Sequence, residues 1–126
     1  MGPEAARRLS GASPMWIMVS GPYRSGAASA EARARNLAEL NHAALALFRA
    51  GHVPVIGVNL ALPLIEAAGE AAFDEIMMPL SLRLVERCDA CLRVGGPSQG
   101  ADEEAARFRA RGRPVYARLE EVPVAR

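Results

Sequence analysis

The chain contains no lysine: all 15 of its Lys-or-Arg positions are arginine. Any mechanism built on a lysine amine, such as a Schiff base or a Walker A phosphate clamp, is excluded. Aromatic residues make up only 5%, so Leu, Val, Ile and Ala must fill the core. An excess of one charge is also lacking. Fifteen cations oppose 14 acids, for a net charge of +1. That balance gives no electrostatic footprint for a nucleic-acid polymer or an anionic membrane. No apolar run approaches the roughly 20 residues of a membrane helix. Met15–Val19 is too short for the apolar region of a secretory signal. The expected location is the cytoplasm.

Cysteine is limited to Cys88 and Cys91, two of 126 residues. A C-x-x-C pair suits redox or metal chemistry. It equally suits two small core residues in a reducing compartment. Redox pairs sit where a strand ends and a helix begins, whereas this one sits where a helix ends and a strand begins.

What is present suits one globular domain with a real core, at 51% hydrophobic and 23% charged. Residues 1–14, rich in Gly, Pro, Ala and Ser, read as a flexible lead-in, residues 15–121 as the domain and 122–126 as a loose tail. Trp16-Ile17-Met18-Val19 is a continuous apolar run, the pattern of a strand buried on both faces. Ser29–Ala50 reads as a long helix whose stripe is Leu37, Leu40, Ala44, Leu47 and Phe48, stopped by Gly51. Val53–Val58 reads as a second strand, Asn59–Pro63 as a loop and Leu64–Ala68 as a short helix. Phe73–Arg87 is helical, with Pro79 a kink or restart. Asp89–Val94 is a third strand, Ala101–Arg111 a helix ended by Gly112, and Pro114–Leu119 a fourth strand.

Strands alternating with helices predict a Rossmann-like, three-layer α/β domain. Its sheet is parallel with four strands, or five, in the order 2-1-3-4. The carboxyl ends of strands 1 and 3 then meet at a switch point, where open α/β sheets bind ligands. Two loops converge there, Ser20–Gly26 and Gly95–Gly100.

The second loop runs into Ala101-Asp102-Glu103-Glu104. Its glycines permit sharp turns and close ligand approach. Ser98 can cap the helix or donate to a ligand. Ala101, Ala105 and Phe108 form the apolar stripe. Glu104 falls on that inward face, while Asp102 and Glu103 fall off it, and Glu103 can pair with Arg107. Glu104 is either a cleft acid or an acid stabilised by the helix dipole. In the first loop, Tyr23 could stack on a base or sugar and Arg24 could bind an anion, or both could decorate a plain turn. Asn41 lies on the first helix's apolar stripe and needs a partner, a loop group or a ligand. Asn59 could reach the cleft. His52 reads as structural.

Taken in order, these motifs resemble the nucleoside 2-deoxyribosyltransferase-like superfamily, in particular its small uncharacterised bacterial members. They are Ser20-Gly21-Pro22-Tyr23, Asn41 with Ala50-Gly51-His52, Cys88-Asp89-Ala90, Ser98-x-Gly100-Ala101-x-x-Glu104 and Gly112-x-Pro114-Val115-Tyr116. The resemblance spans about Met15 to Leu119. It implies a Rossmann-like domain, a homodimer or higher homo-oligomer, and cleavage or exchange of the N-glycosidic bond of a nucleoside or nucleoside 5′-monophosphate. Glu104 would be the nucleophile on the anomeric carbon. Ser20, Gly21, Pro22, Tyr23, Arg24, Asn59, Gly96, Ser98 and Gly100 would line the site, the Ser98–Gly100 turn holding the sugar or its 5′-phosphate. No cofactor and no metal is implied. The chain departs from the pattern at Leu80-Ser81-Leu82, where such enzymes tend to carry an aspartate that helps protonate the leaving base. Asp74 and Glu75 lie about two turns earlier. A non-catalytic nucleotide-binding module on the same fold is the alternative. Gly95–Glu104 also resembles the Pro-Gly-Gly-x-Gly-Thr-x-x-Glu loop of the phosphoribohydrolases once labelled lysine decarboxylases.

Overall fold

The computed structural model describes residues 12–125. Most of the expected lead-in, residues 1–11, lies outside that range. Four parallel strands, β1 (Trp16–Ser20), β2 (Val53–Val55), β3 (Ala90–Arg93) and β4 (Val115–Tyr116), form one sheet in the order β2-β1-β3-β4. Helices α1 (Ala30–Arg49), α2 (Gly57–Ala68), α3 (Phe73–Val85) and α4 (Gln99–Ala110) flank it. The order is the one expected from the alternation of strands and helices, and the fold is Rossmann-like.

The sheet separates two cores because successive strand residues point to opposite faces. Ile17 and Val19 of β1, with Ala90 and Leu92 of β3, meet Leu40 and Leu47 of α1 on one face. Met18 and Cys91 meet Val85, Cys88, Ala105 and Phe108 on the other. The β1–β3 register pairs Met18 with Cys91 and Ser20 with Arg93. Both cysteines are buried, and burial pushes each thiol up to about 11. A thiol with that pKa holds its proton at neutral pH and is a poor nucleophile. The pair packs as core residues.

Local chemistry sets the helix ends. Ser29 Oγ accepts the Ala32 N–H at 3.1 Å and starts α1. Gly51 follows α1 with φ at +95°, a conformation that β-carbons resist.

Five expectations are corrected. The second strand stops at Val55, and the expected loop Asn59–Pro63 is part of α2. Asn and Pro suggest a turn, but Gly57, Ala61 and Ile65, four residues apart, form one buried face. Packing of that face, Ala61 and Ile65 with Met77 of α3, overrides local preference, and α2 runs through Pro63. Phe48 does not join the buried stripe of α1; it is 66% exposed. The fourth strand shrinks to Val115–Tyr116. Finally, residues 122–125 are not a loose tail. Val122 is 1% exposed within the α1-side core. The Ala125 N–H donates to Ala50 O at 2.8 Å. The Met15 N–H donates to His52 Nδ1 at 3.0 Å, which leaves Nε2–H to donate to Pro123 O at 2.6 Å. His52 thus ties both ends of the domain together, the structural role expected of it. Among the described residues, no helix is long and apolar enough to cross a membrane.

Candidate functional site

The loops after β1 and β3 meet at the carboxyl edge of the sheet, at the switch point between those strands. They are joined there by side chains of both. Ser25 Oγ donates to Ser98 Oγ at 3.4 Å. Ser98 Oγ in turn accepts the Ala101 N–H at 3.2 Å and caps α4. Two glycines let the loops approach this closely. A β-carbon at Gly21 would lie 2.7 Å from Val94 O and from the Leu40 side chain. One at Gly95, where φ is +77°, would lie 2.8 Å from the Pro22 ring.

A cavity of about 120 Å3 opens at this edge, and Glu104 lies in its wall. Gly21, Tyr23, Arg24, Ser98 and Gly100 line it too. So do Phe73, Met77, Met78 and Ser81 from α3, and Val58 from α2. Six of the residues singled out from the sequence therefore share one cavity: Glu104, Gly21, Tyr23, Arg24, Ser98 and Gly100.

Glu104 is the chemical centre of this arrangement. It sits in the second turn of α4, because the helix begins at Gln99 and not at the expected Ala101, and it lies on the helix's buried face, 8% exposed. Burial raises its carboxyl above the ordinary value of 4.5, and the negative charge of Glu103 adds to the rise. Hydrogen bonds from the Ser20 and Ser81 hydroxyls and the charge of Arg93 oppose it. Serine hydroxyls from the β1 end and from α3 therefore grip one carboxylate at the junction of three elements. Of the two acids before it, Asp102 pairs with Arg93 at 3.1 Å, and exposed Glu103 reaches Arg107 at 3.8 Å. The inward assignment of Glu104 alone follows from helical spacing, as expected.

Ser20 reaches the site through its bond to Glu104. Three other expected residues are placed elsewhere. Pro22 is buried and packs against Gly95 without lining the cavity. Gly96 is exposed, and its carbonyl accepts from Arg93 Nη2 at 2.8 Å, so the residue braces its loop. Asn59 is exposed near the start of α2 and donates to Asn41 Oδ1 at 2.7 Å. Both amides border a different, apolar groove with Trp16, Val53 and Leu60. The reason is the α2 correction: a helix starting at Gly57 directs residue 59 away from the strand ends. Asn41, expected to be buried, is exposed and satisfied by that bond.

Sequence reasoning missed the α3 wall and two braces. The wall is Phe73, Met77 and Met78, at positions i, i+4 and i+5 of one helix, a signal that reads equally as core. Arg93 is one brace, holding Asp102 and Gly96 together. Asn36 is the other, donating to Tyr23 O at 2.9 Å and holding the first loop. Above the cavity, the Arg24 guanidinium lies 3.9 Å from the centroid of the Phe73 ring. A second cavity of about 210 Å3 shares Tyr23, Arg24 and Phe73 and adds Arg33, Leu62 and Glu70.

No protein-family model matches the chain, and no curated protein matches it.

Proposed function

We propose that this cleft binds a nucleoside or nucleoside 5′-monophosphate and that Glu104 attacks its anomeric carbon, transferring or hydrolysing the N-glycosidic bond. One observation carries the reading: a buried carboxylate, held by two hydroxyls, in the wall of a cavity at the sheet's switch point. A carboxylate removed from water is more basic than usual, and two hydroxyl donors act on it in the cavity wall. The resemblance of Ser98-x-Gly100-Ala101-x-x-Glu104 to the nucleoside 2-deoxyribosyltransferase-like superfamily supports the same role.

The cavity is smaller than the roughly 300–1,000 Å3 of pockets that enclose a whole drug-sized ligand. It suits one ring, the pentose. The base then lies at the mouth against Tyr23 and Phe73, where apolar faces accept a flat heterocycle. Glu104 forms a bond to the anomeric carbon as the carbon–nitrogen bond breaks. The bonding pair leaves with the base nitrogen, which takes a proton from solvent at the open mouth. Water or a second base then displaces the carboxylate.

Incubation with a panel of nucleosides and 5′-monophosphates is expected to release free base, and Glu104→Ala is expected to abolish it. No release with any member, or full release by Glu104→Ala, overturns the reading.

One observation favours a second reading. Ser81, and not an acid, is the α3 side chain beside Glu104 in the cavity wall, and among the described residues no carboxyl group of α3 lines the cavity to protonate a leaving base. A nucleotide-binding module that does not turn its ligand over fits that substitution. It requires saturable binding by calorimetry with no base released.

A further inference from the structure

The Ser20 hydroxyl touches two groups. It receives a hydrogen bond from the Cys91 thiol, with Sγ 3.5 Å from Oγ, and it gives one to Glu104. A serine hydroxyl has one hydrogen to donate and lone pairs to accept with. While a neighbour donates into Oγ, the single hydrogen is free to point at the carboxylate.

The fold makes this chain of contacts unavoidable. Met18 and Ser20 are two apart in β1 and share the sheet face that carries α4. Cys91 is paired with Met18 in the β1–β3 register and occupies that same face. Glu104 projects from the second turn of α4 toward the β1 end. The sulfur lies in the apolar core with Val85, Ala105 and Phe108, and only its hydrogen is directed at a polar atom. The neighbouring thiol, Cys88, packs in the same core.

We propose that Cys91 is a positioning residue for the cleft acid: its S–H donates to Ser20 Oγ, and that bond directs the Ser20 O–H to the Glu104 carboxylate. The S–H donor is weak, but Ser20 is 2% exposed, so water does not compete for its oxygen. Removing the donor frees the hydroxyl to turn away, and the carboxylate loses a partner. The other groups acting on Glu104 stay in place: Ser81 from α3, Arg93 from β3 and Glu103 from α4. Besides Ser20, the charges of Glu104 and Arg109 of α4 and of Arg93 of β3 act on the thiol.

The proposal rests on reading Glu104 as the reactive acid only for its effect on rate. Its test uses no substrate. The Glu104 carboxyl carbon is followed by NMR in 13C-glutamate-labelled protein across pH. Cys91→Val, which keeps apolar bulk, and Cys91→Ala are both expected to raise the Glu104 midpoint by about 0.5–1 unit, the scale of weakening one hydrogen bond to a charged group. Cys91→Ser, which restores a donor, is expected to remain within about 0.3 unit of the parent. In a Ser20→Ala background the Cys91 substitutions are expected to have no further effect, because the group that relays them is gone. An unchanged midpoint in both apolar variants overturns the proposal. So does an equal rise with and without Ser20, because that means Cys91 acts by packing alone. If the midpoint moves as expected while no nucleoside is cleaved, the positioning role stands and the glycosidase reading falls.

Discussion

The guanidinium of Arg24 lies over the ring of Phe73 at 3.9 Å, and the pair borders both the cavity that holds Glu104 and the neighbouring one. A flat cation on an aromatic face occupies the position a nucleobase would take. At an exposed site such a contact is worth about 0.5–1 kcal/mol, less than the roughly 1–3 kcal/mol of stacking a base on an aromatic ring. Under the proposed function, the base of the bound nucleotide displaces Arg24 from Phe73. Phe73→Leu keeps the apolar bulk that packs beside Met77 and Ala61 but removes the aromatic face. It is expected to weaken nucleotide binding about tenfold, or about 1.4 kcal/mol, with little change in melting temperature. Calorimetric titration of parent and variant with one nucleotide checks it. Equal affinities would show that the ring is not a base platform.

Glu104 makes folding stability depend on pH. Its carboxyl holds its proton more tightly in the folded chain than in the unfolded one, because burial penalises the charge. The resulting stabilisation is fully present below the unfolded value near 4.5 and is lost as pH rises through the raised folded value. Glutamine at this position has the same shape and no charge to bury. Glu104→Gln is therefore expected to be more stable than the parent at about pH 8, by about 1 kcal/mol, the scale seen when a functional group's strain is relieved. The difference should shrink toward zero as pH falls below the ordinary carboxyl range. Urea unfolding at a series of pH values measures it. A gap that stays constant with pH would assign the effect to packing.

Gly57 controls the Ser81 side of the same carboxylate. A β-carbon on Gly57 would lie 2.3 Å from Ser81 Oγ and 3.3 Å from Ser81 Cβ. The hydroxyl would have to swing away from Glu104, and the helices would have to part slightly. Gly57→Ala is expected to cost about 1–3 kcal/mol through overpacking and to raise the Glu104 midpoint. Adding Ser81→Ala removes the closer clash, so the double variant is expected to recover part of the stability and none of the lost hydrogen bond. Melting curves and the carboxyl titration separate the two effects.

These relationships mark where sequence reasoning reached and where it stopped. The strand order and the inward face of Glu104 were legible because each follows from a period, alternation of elements in one case and helical spacing in the other. Ser98 and the two glycine loops were legible as turn and cap chemistry. The α3 wall was not, because Phe73, Met77 and Met78 look the same in a sequence whether they meet a core or a cavity. Asn59 was misplaced because Pro63 suggested a break, while packing of Ala61 and Ile65 against α3 outweighed it. Cys91 and Ser20 are 71 residues apart, and only the β1–β3 register brings them together. The same applies to His52 and Pro123, whose contact turned an expected loose tail into part of the core.

That contact yields the last prediction. Val122 fills a space lined by the α1-side core, Pro123 accepts from His52, and Ala125 donates to Ala50. Truncation after Glu121 removes all three at once. It leaves His52 Nε2–H buried without its acceptor and uncovers Leu47-side apolar surface. The expected loss is about 2–4 kcal/mol, the sum of a large-to-small core change and an unsatisfied buried donor. Val122→Ala alone is expected to account for about 1–2 kcal/mol of it. His52→Ala and the truncation share one hydrogen bond, so their combined cost should fall short of the sum of the two. Urea unfolding of the parent, both single changes and the combination measures this. Strict additivity would mean that His52 acts only through Met15 and that the C-terminal segment is held by Val122 and Ala125 without it.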